Sequence, residues 1–368
     1  MTITPFIDLK KRLQPYRAEL DLAINRVLDS GVFAGGEEVS TFEKEWAAYL
    51  SVQHCIGIGN ATDGFELLYR ALGIGPGDEV IVPACGLISP AEMASFCGAT
   101  PVFADVDPVS YNLDPTGLEQ LITPRTKAIV CVHLYGHMAP MAAIRSICEK
   151  YGIFLIEDCA QAHGAGKDGR KAGALSTAGI YSFYPTKNLG ALGDAGALVT
   201  NDDMLAARLR ELANHGQSAK DLHQREGRNS RLDPIQAAVL RVRLSCLDQE
   251  NEIRKEHAHT YYRLLEGTPL VIPPQVLDES HTYHLYVVRS TQRDYLQKFL
   301  LNEGVGTAIH YPVPVPWQPA YDHMASCRHH LPGATTTVGT LLSLPNGPEH
   351  SLEYIKRVGE LVSKVLRS

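Results

Sequence analysis

The chain has 368 residues, enough for a large domain and a smaller one. With 45% hydrophobic and 20% charged residues it is composed like an ordinary globular protein, and its net charge of -7 argues against a surface that neutralises a nucleic-acid backbone. No apolar run reaches the roughly 20 residues that span a bilayer, and no charged leader precedes an apolar core, so a cytoplasmic protein without membrane contact is expected. The eight cysteines form no C-x-x-C pair and the fifteen histidines show no H-E-x-x-H spacing, which predicts neither a disulfide framework nor a metal site.

Along the chain, Asn60-Ala61-Thr62-Asp63 precedes a stretch with Leu67, Leu68, Ala71 and Leu72 on one face. Asn60 reads as the N-cap of a helix whose first amides and dipole suit a phosphate. From about residue 50 to 200, short β-branched runs alternate with helical patterns, the signature of a mostly parallel sheet with helices on its faces. The runs are Glu79 to Pro83, Pro101 to Asp105, Ala128 to Val132, Ile153 to Asp158 and Gly179 to Phe183. A further run, Gly196 to Thr200, follows so closely that it is expected to be antiparallel. The pattern turns helical between about residues 202 and 266, with Leu205, Leu209 and Leu212 on one face and an Ala-, Val- and Leu-rich segment from Asp233 to Leu247. After Gly267-Thr268-Pro269 come a strand at Tyr283 to Arg289, a helix at Arg293 to Asn302 and a closing helix near Leu352 to Leu366. The expected fold is α/β, with a large domain over residues 1–266 and a smaller α+β domain over 267–368. No G-x-G-x-x-G follows the first strand, which sets a dinucleotide-binding dehydrogenase aside.

Chemistry gathers at two strand ends. Ser182-Phe183-Tyr184-Pro185-Thr186-Lys187-Asn188-Leu189-Gly190 plants a lysine in a tight turn after an apolar strand, downstream of a strand that closes in Glu157-Asp158. A desolvated lysine gives up its proton readily and attacks aldehydes, which is the chemistry of a pyridoxal phosphate Schiff base. Asp158 would face a protonated pyridine nitrogen, the phosphate would sit at the Asn60 helix, and Ser182 would add a hydroxyl. Lys187 could then carry the proton between substrate and cofactor.

With those residues placed, the chain resembles the DegT/StrS family of nucleotide-sugar aminotransferases, within the fold type I, aspartate aminotransferase-like pyridoxal phosphate enzymes. The resemblance runs nearly end to end, and its most specific blocks are Glu157 to Ala165 and Ser182 to Gly190. It implies Lys187 as the Schiff-base lysine, Asp158 as the pyridinium partner and Gln161 at the ring hydroxyl. The backbone of Thr62 and Asp63, with Ser182, would hold the phosphate. Asn229 would reach the phosphate of the neighbouring subunit in a homodimer. Leu87 stands where the family usually offers an aromatic face to the ring, Asp194-Ala195 replaces a usual Glu-Gly, and Ala213 replaces an arginine.

The segment from Ile309 to Tyr321, with His310 and Tyr311, is similar to the substrate-side loop of members that aminate a 3-keto sugar; His163 and Tyr184 are further substrate-side candidates. The implied reaction takes an amino group from L-glutamate through pyridoxamine phosphate to a keto group of a nucleotide-linked deoxysugar, a dTDP-linked 3-keto-6-deoxyhexose in the first instance. A 4-keto sugar or aminocyclitol aminotransferase, a pyridoxamine-dependent sugar dehydratase and a cofactor-binding regulatory protein are the alternatives. Lys187 counts against the dehydratase, since those relatives replace it.

Overall fold

A computed structural model describes residues 3–367. Seven strands, β1 (His54–Ile58), β2 (Glu79–Pro83), β3 (Thr100–Ala104), β4 (Thr126–Val132), β5 (Phe154–Asp158), β6 (Ala178–Ser182) and β7 (Gly196–Thr200), form one sheet in the order β1-β7-β6-β5-β4-β2-β3. All neighbours run parallel except at β7, which is antiparallel to both β1 and β6. Strands β2 and β7 are buried at every position, which explains their apolar runs over residues 80–83 and 196–199.

Helices cover both faces: α1 (Leu9–Leu13), α2 (Arg17–Ser30), α3 (Glu37–Leu50), α4 (Ala61–Ala71), α5 (Ser89–Phe96), α6 (Met141–Tyr151), α7 (Asp203–Ala213), α8 (Pro234–Leu244) and α9 (Leu247–Leu265). The period of two along each strand divides the core. Val80 and Val82 pack with Phe65, Ile180 and Leu198 on one face; Ile81 packs with Phe42, Trp46 and Phe183 on the other. Trp46 is fully enclosed, edge-on to Tyr181 at 5.0 Å and Phe183 at 5.7 Å. Burying such a ring contributes about 1.5–3 kcal/mol, and this contact fixes the end of β6 where the lysine turn begins.

Beyond α9, β8 (Tyr286–Arg289) and β9 (Leu341–Leu344) pair antiparallel, flanked by α10 (Arg293–Asn302) and α11 (Leu352–Arg367). Their core is separate, built from Tyr286, Val288, Leu300, Leu342, Ile355 and Val358, and α9 enters it through Tyr261, whose hydroxyl donates to Pro345 O at 2.8 Å.

Within these two sheets, two strands lie outside the expected runs. β1 reads His-Cys-Ile-Gly-Ile, broken by a glycine that packing demands, because a Cβ at Gly57 would come within 2.7 Å of Leu232 Cβ. β9 reads Leu-Leu-Ser-Leu, with no β-branched residue. The strand expected from Tyr283 starts only at Tyr286, since Tyr283 has φ of +45°, incompatible with an extended chain. Among the described residues no helix is long and apolar enough to cross a membrane.

Candidate active site

The carboxyl ends of β1, β2, β5 and β6 converge on one cleft of about 330 Å³, at the edge where open α/β sheets bind ligands. Its wall includes Thr62, Leu87, Asp158, Ser182, Tyr184, Lys187 and Tyr311, all of them expected from the sequence, together with Asn60, Phe65, Ser89, Thr186 and Asp194. A larger groove of about 490 Å³ on α1 and α2 is lined by Leu13, Leu20 and Ile24 and gathers no comparable set.

After β1 the chain enters α4 through Asn60, which is extended and whose Oδ1 accepts from Asp63 N at 2.8 Å. That bond occupies the Asp63 amide, and the Asp63 carboxylate pairs with Arg228 at 2.9 Å. Asp63 therefore acts at the terminus as a capping partner, and the first-turn amides left for an anion are those of Ala61 and Thr62. Thr62 Oγ1 lies 3.1 Å from Ser89 Oγ at the start of α5, a second hydroxyl that no sequence motif announced.

Between β6 and β7 the chain loops back, with Phe183 N donating to Ala195 O and Ala191 N to Phe183 O, both at 2.8 Å. Lys187 N donates to Tyr184 O at 2.8 Å and closes the turn. Gly190 is required there, since a Cβ would lie 2.5 Å from Pro185 O. From below, Arg12 Nη1 donates to Lys187 O at 3.0 Å and Arg12 Nη2 to Asn188 O at 2.6 Å.

Asp158 ends β5 and is 6% exposed. Among the described residues its carboxylate makes a single hydrogen bond, from Ala160 N at 3.0 Å. Burial pushes its pKa up; the Ala160 amide, Lys187 and His133 pull it back only in part. Lys187 keeps some exposure into the cleft, yet burial brings its ammonium down to about 8 against the opposing pull of Asp158. The pair thus combines a carboxylate short of partners with an amine that deprotonates near neutrality.

Tyr311 arrives from the segment before the 3-10 turn at Val315–Trp317, where Val315 N docks on Ala84 O at 2.9 Å. Its hydroxyl accepts from Gln161 Nε2 at 3.0 Å, and burial followed by the Asp158 charge pushes its pKa up to about 12. Gln161 itself stands behind the wall, its Oε1 accepting from Tyr135 N at 2.7 Å. His310 turns away to Ser343 Oγ at 2.8 Å, and burial, then Lys187, brings it down to about 4.

His163, expected on the substrate side, is fully buried beside Trp46, Tyr181 and Phe183. Its Nε2–H donates to Ser182 O at 2.9 Å, and burial, then Lys187, brings its pKa down to about 3, so in this chain it supports β6 as a neutral ring. Asn229 is exposed and outside this cleft, its Oδ1 accepting from Arg231 Nε at 2.8 Å.

With that geometry in hand, comparison with known proteins is decisive. Residues 15–363 match the DegT/DnrJ/EryC1/StrS aminotransferase family. The chain belongs to this family. It is 46% identical over 366 residues to the dTDP-3-amino-3,4,6-trideoxy-alpha-D-glucose transaminase of Streptomyces venezuelae, covering 98% of this chain and 97% of the relative. It is 42% identical over 351 residues to the UDP-2-acetamido-2-deoxy-3-oxo-D-glucuronate aminotransferase of Pseudomonas aeruginosa, covering 95% and 97%. The crystal structure of DesV from Streptomyces venezuelae in complex with a ketimine intermediate superimposes with a TM-score of 0.97 at 45% identity, covering 100% of both chains. The protein is therefore a pyridoxal phosphate-dependent aminotransferase of fold type I.

The residues present fit that cofactor. A 330 Å³ cleft is in the range of small-molecule sites, about 300–1,000 Å³, and its buried carboxylate has room for a cationic partner. The hydroxyls of Ser182, Thr62 and Ser89 and a helix N-terminus in its lining are of the kind that can donate to a phosphate. As a half-exposed aliphatic wall, Leu87 can pack against a ring face without stacking.

Proposed function

We propose that the enzyme moves the amino group of L-glutamate to the C-3 keto group of a nucleotide-linked deoxysugar, a dTDP-linked 3-keto-6-deoxyhexose in the first instance, by a ping-pong reaction. The observation that carries this reading is the meeting of Lys187, Asp158, Ser182 and Tyr311 in one cleft, the last from the segment similar to the substrate loop of 3-keto enzymes. End-to-end similarity to a transaminase named for a dTDP-3-amino sugar supports the C-3 assignment.

Bound in this cleft, pyridoxal phosphate supplies an aldehyde that takes up and returns the amino group, and a ring that draws electrons from the reacting carbon. Each protein group has a separable task. Asp158, with one hydrogen bond to its carboxylate, holds a ring nitrogen in its cationic form. Lys187 anchors the aldehyde and, when free, moves a proton at Nζ; with a pKa of about 8, about a tenth of it is neutral at pH 7, against well under a thousandth for an ordinary lysine. Ser182 Oγ, Thr62 Oγ1 and the Ala61 and Thr62 amides hold the phosphate. Gln161 orients Tyr311, whose own hydroxyl proton is then available to the ligand.

The same reading places the site in a homodimer, with Asn229 serving the cleft of a second copy, and divides the chain into residues 1–266 and 267–368. It also places the protein in the cytoplasm; the eight cysteines, none of them in a disulfide, support a reducing compartment. The test is a panel of thymidine, uridine and guanosine diphosphate keto sugars with glutamate and mass detection of the product. An amino sugar from the dTDP-3-keto substrate, absent with Lys187→Ala, supports the proposal. Amination of 4-keto sugars alone, or of no nucleotide sugar, overturns it.

A further inference from the structure

Helix α1 carries three consecutive basic residues, Lys10, Lys11 and Arg12, and of these only Arg12 is buried, at 4% exposure. Its guanidinium does two things at once. Nε and Nη2 donate to Glu250 Oε2 at 3.1 and 2.7 Å, while Nη1 and Nη2 reach the consecutive carbonyls of Lys187 and Asn188 at 3.0 and 2.6 Å. Glu250 is held in turn by Arg243 Nη2 at 2.9 Å and lies 3.6 Å from Arg254 Nη1. The Asn188 side chain is tied down independently, donating to Asn251 Oδ1 at 2.8 Å and meeting His284 Nδ1 at 2.9 Å.

A buried carbonyl pair in a tight turn needs donors, and any donor would satisfy it. The planar fork of an arginine does more, since it fixes two adjacent peptide planes relative to a carboxylate that is itself immobile. We propose that Arg12 is a positioning residue for Lys187: by holding the carbonyls of residues 187 and 188 against the Glu250 cluster, it aims the lysine side chain along the cleft wall. The first helix of the chain and the lysine turn, 175 residues apart, thereby become one mechanical unit. A lysine at position 12 cannot reproduce this, because a single ammonium does not present a planar fork to two carbonyls and a carboxylate.

This inference rests on the reading of Lys187 as the cofactor-bearing amine, but its test is independent of the cofactor. Reductive methylation of the full-length, cofactor-free protein with formaldehyde and cyanoborohydride, followed across pH by peptide mass spectrometry, reports the midpoint at which Lys187 becomes reactive; exposed Lys220 is the internal reference. The ionisable groups that interact with Lys187 are Asp158 on β5 and His163, His284 and His310 from the surrounding loops; of these His163 also feels the positive charge of Arg12, which Arg12→Lys preserves.

Wild type is expected to turn over near pH 8. In Arg12→Met the freed turn lets the amine reach water, so its midpoint rises by about one unit or more toward an ordinary lysine, and capture of added pyridoxal phosphate slows by about tenfold or more. Arg12→Lys falls between the two. Arg243→Met loses a partner of the same Glu250 without touching the turn, and is expected to lower Tm while leaving the Lys187 midpoint in place. An unmoved midpoint in Arg12→Met, or an equal movement in Arg243→Met, overturns the proposal; should Arg12→Met not fold, an unmoved midpoint in Arg12→Lys does so. Finding the cofactor on a different lysine would sink the assignment of Lys187 without altering this titration.

Discussion

Glu157 and Asp158 are neighbours on β5, both buried carboxylates, and their surroundings could hardly differ more. Glu157 is saturated. His133 accepts from Ala139 N at its Nδ1, so its Nε2–H donates to Glu157 Oε2 at 3.0 Å, and the amides of Gly173 and Leu175 add two bonds at 2.9 Å. Burial would raise the Glu157 pKa, but His133 and these donors bring it below the usual range. Asp158 has one amide and a net upward shift. Alternation along the strand sends the two to opposite faces: one carboxylate closes a structural network, and the other is left short of partners where a ligand arrives. A buried charge thus marks function when its hydrogen-bond complement is incomplete, and burial alone does not.

The largest expected effect tests the structural half of this contrast. Glu157→Ala strands His133 and two amides, and chemical denaturation should show a loss of about 3–5 kcal/mol, whereas Asp158→Ala should leave the cofactor-free protein about as stable as wild type. Equal losses would erase the distinction. The functional half is tested by Asp158→Asn, which should lower the rate of glutamate-dependent cofactor conversion by about 10²–10³-fold with the fold intact.

The pH dependence of stability separates the two carboxylates by sign. Glu157 has a folded pKa below its unfolded value, so its contribution is complete above about 4.3 and is lost as pH falls through the folded value. Asp158 has a folded pKa above its unfolded value, so its contribution is complete below about 3.9 and is lost as pH rises through the folded value. Cofactor-free Asp158→Asn should therefore gain on wild type as pH rises from about 4, and the deficit of Glu157→Gln should shrink in acid. Parallel curves would contradict both shifts.

Smaller effects sharpen the description of the wall. Tyr311→Phe removes the acceptor of Gln161 Nε2 and should cost about 1 kcal/mol in apparent cofactor or substrate binding, read by titration. Leu87→Tyr should tighten pyridoxal phosphate by about 0.5 kcal/mol, roughly twofold in Kd, because the position is half-exposed and a stacked ring there gains only the low end of aromatic contacts. Weaker binding would place the cofactor ring elsewhere.

Much of this architecture was readable in advance. β2 and β7 coincide with their apolar runs, the antiparallel setting of β7 follows from its short connection, and α10 spans the segment its pattern indicated. The placing of Lys187 and Asp158 at one sheet edge was legible because an ionisable residue at, or in the turn just after, the end of an apolar strand is conspicuous in one dimension. Arg12 was not, since Lys10-Lys11-Arg12 reads as a solvated basic run and its partners lie 175 to 238 residues away. Ser89 was hidden for a similar reason: its pairing with Thr62 joins the starts of two helices that follow different strands. The burial of His163 was equally invisible, because the block that contains it gives no sign of which side chains face the aromatic cluster of Trp46, Tyr181 and Phe183.

The most direct test of the account is to load the protein with pyridoxal phosphate, reduce it with borohydride and map the modified peptide. A single pyridoxyl adduct on Lys187 is expected, lost in Lys187→Ala and weakened in Asp158→Ala. An adduct on any other lysine, or none at all, would contradict it.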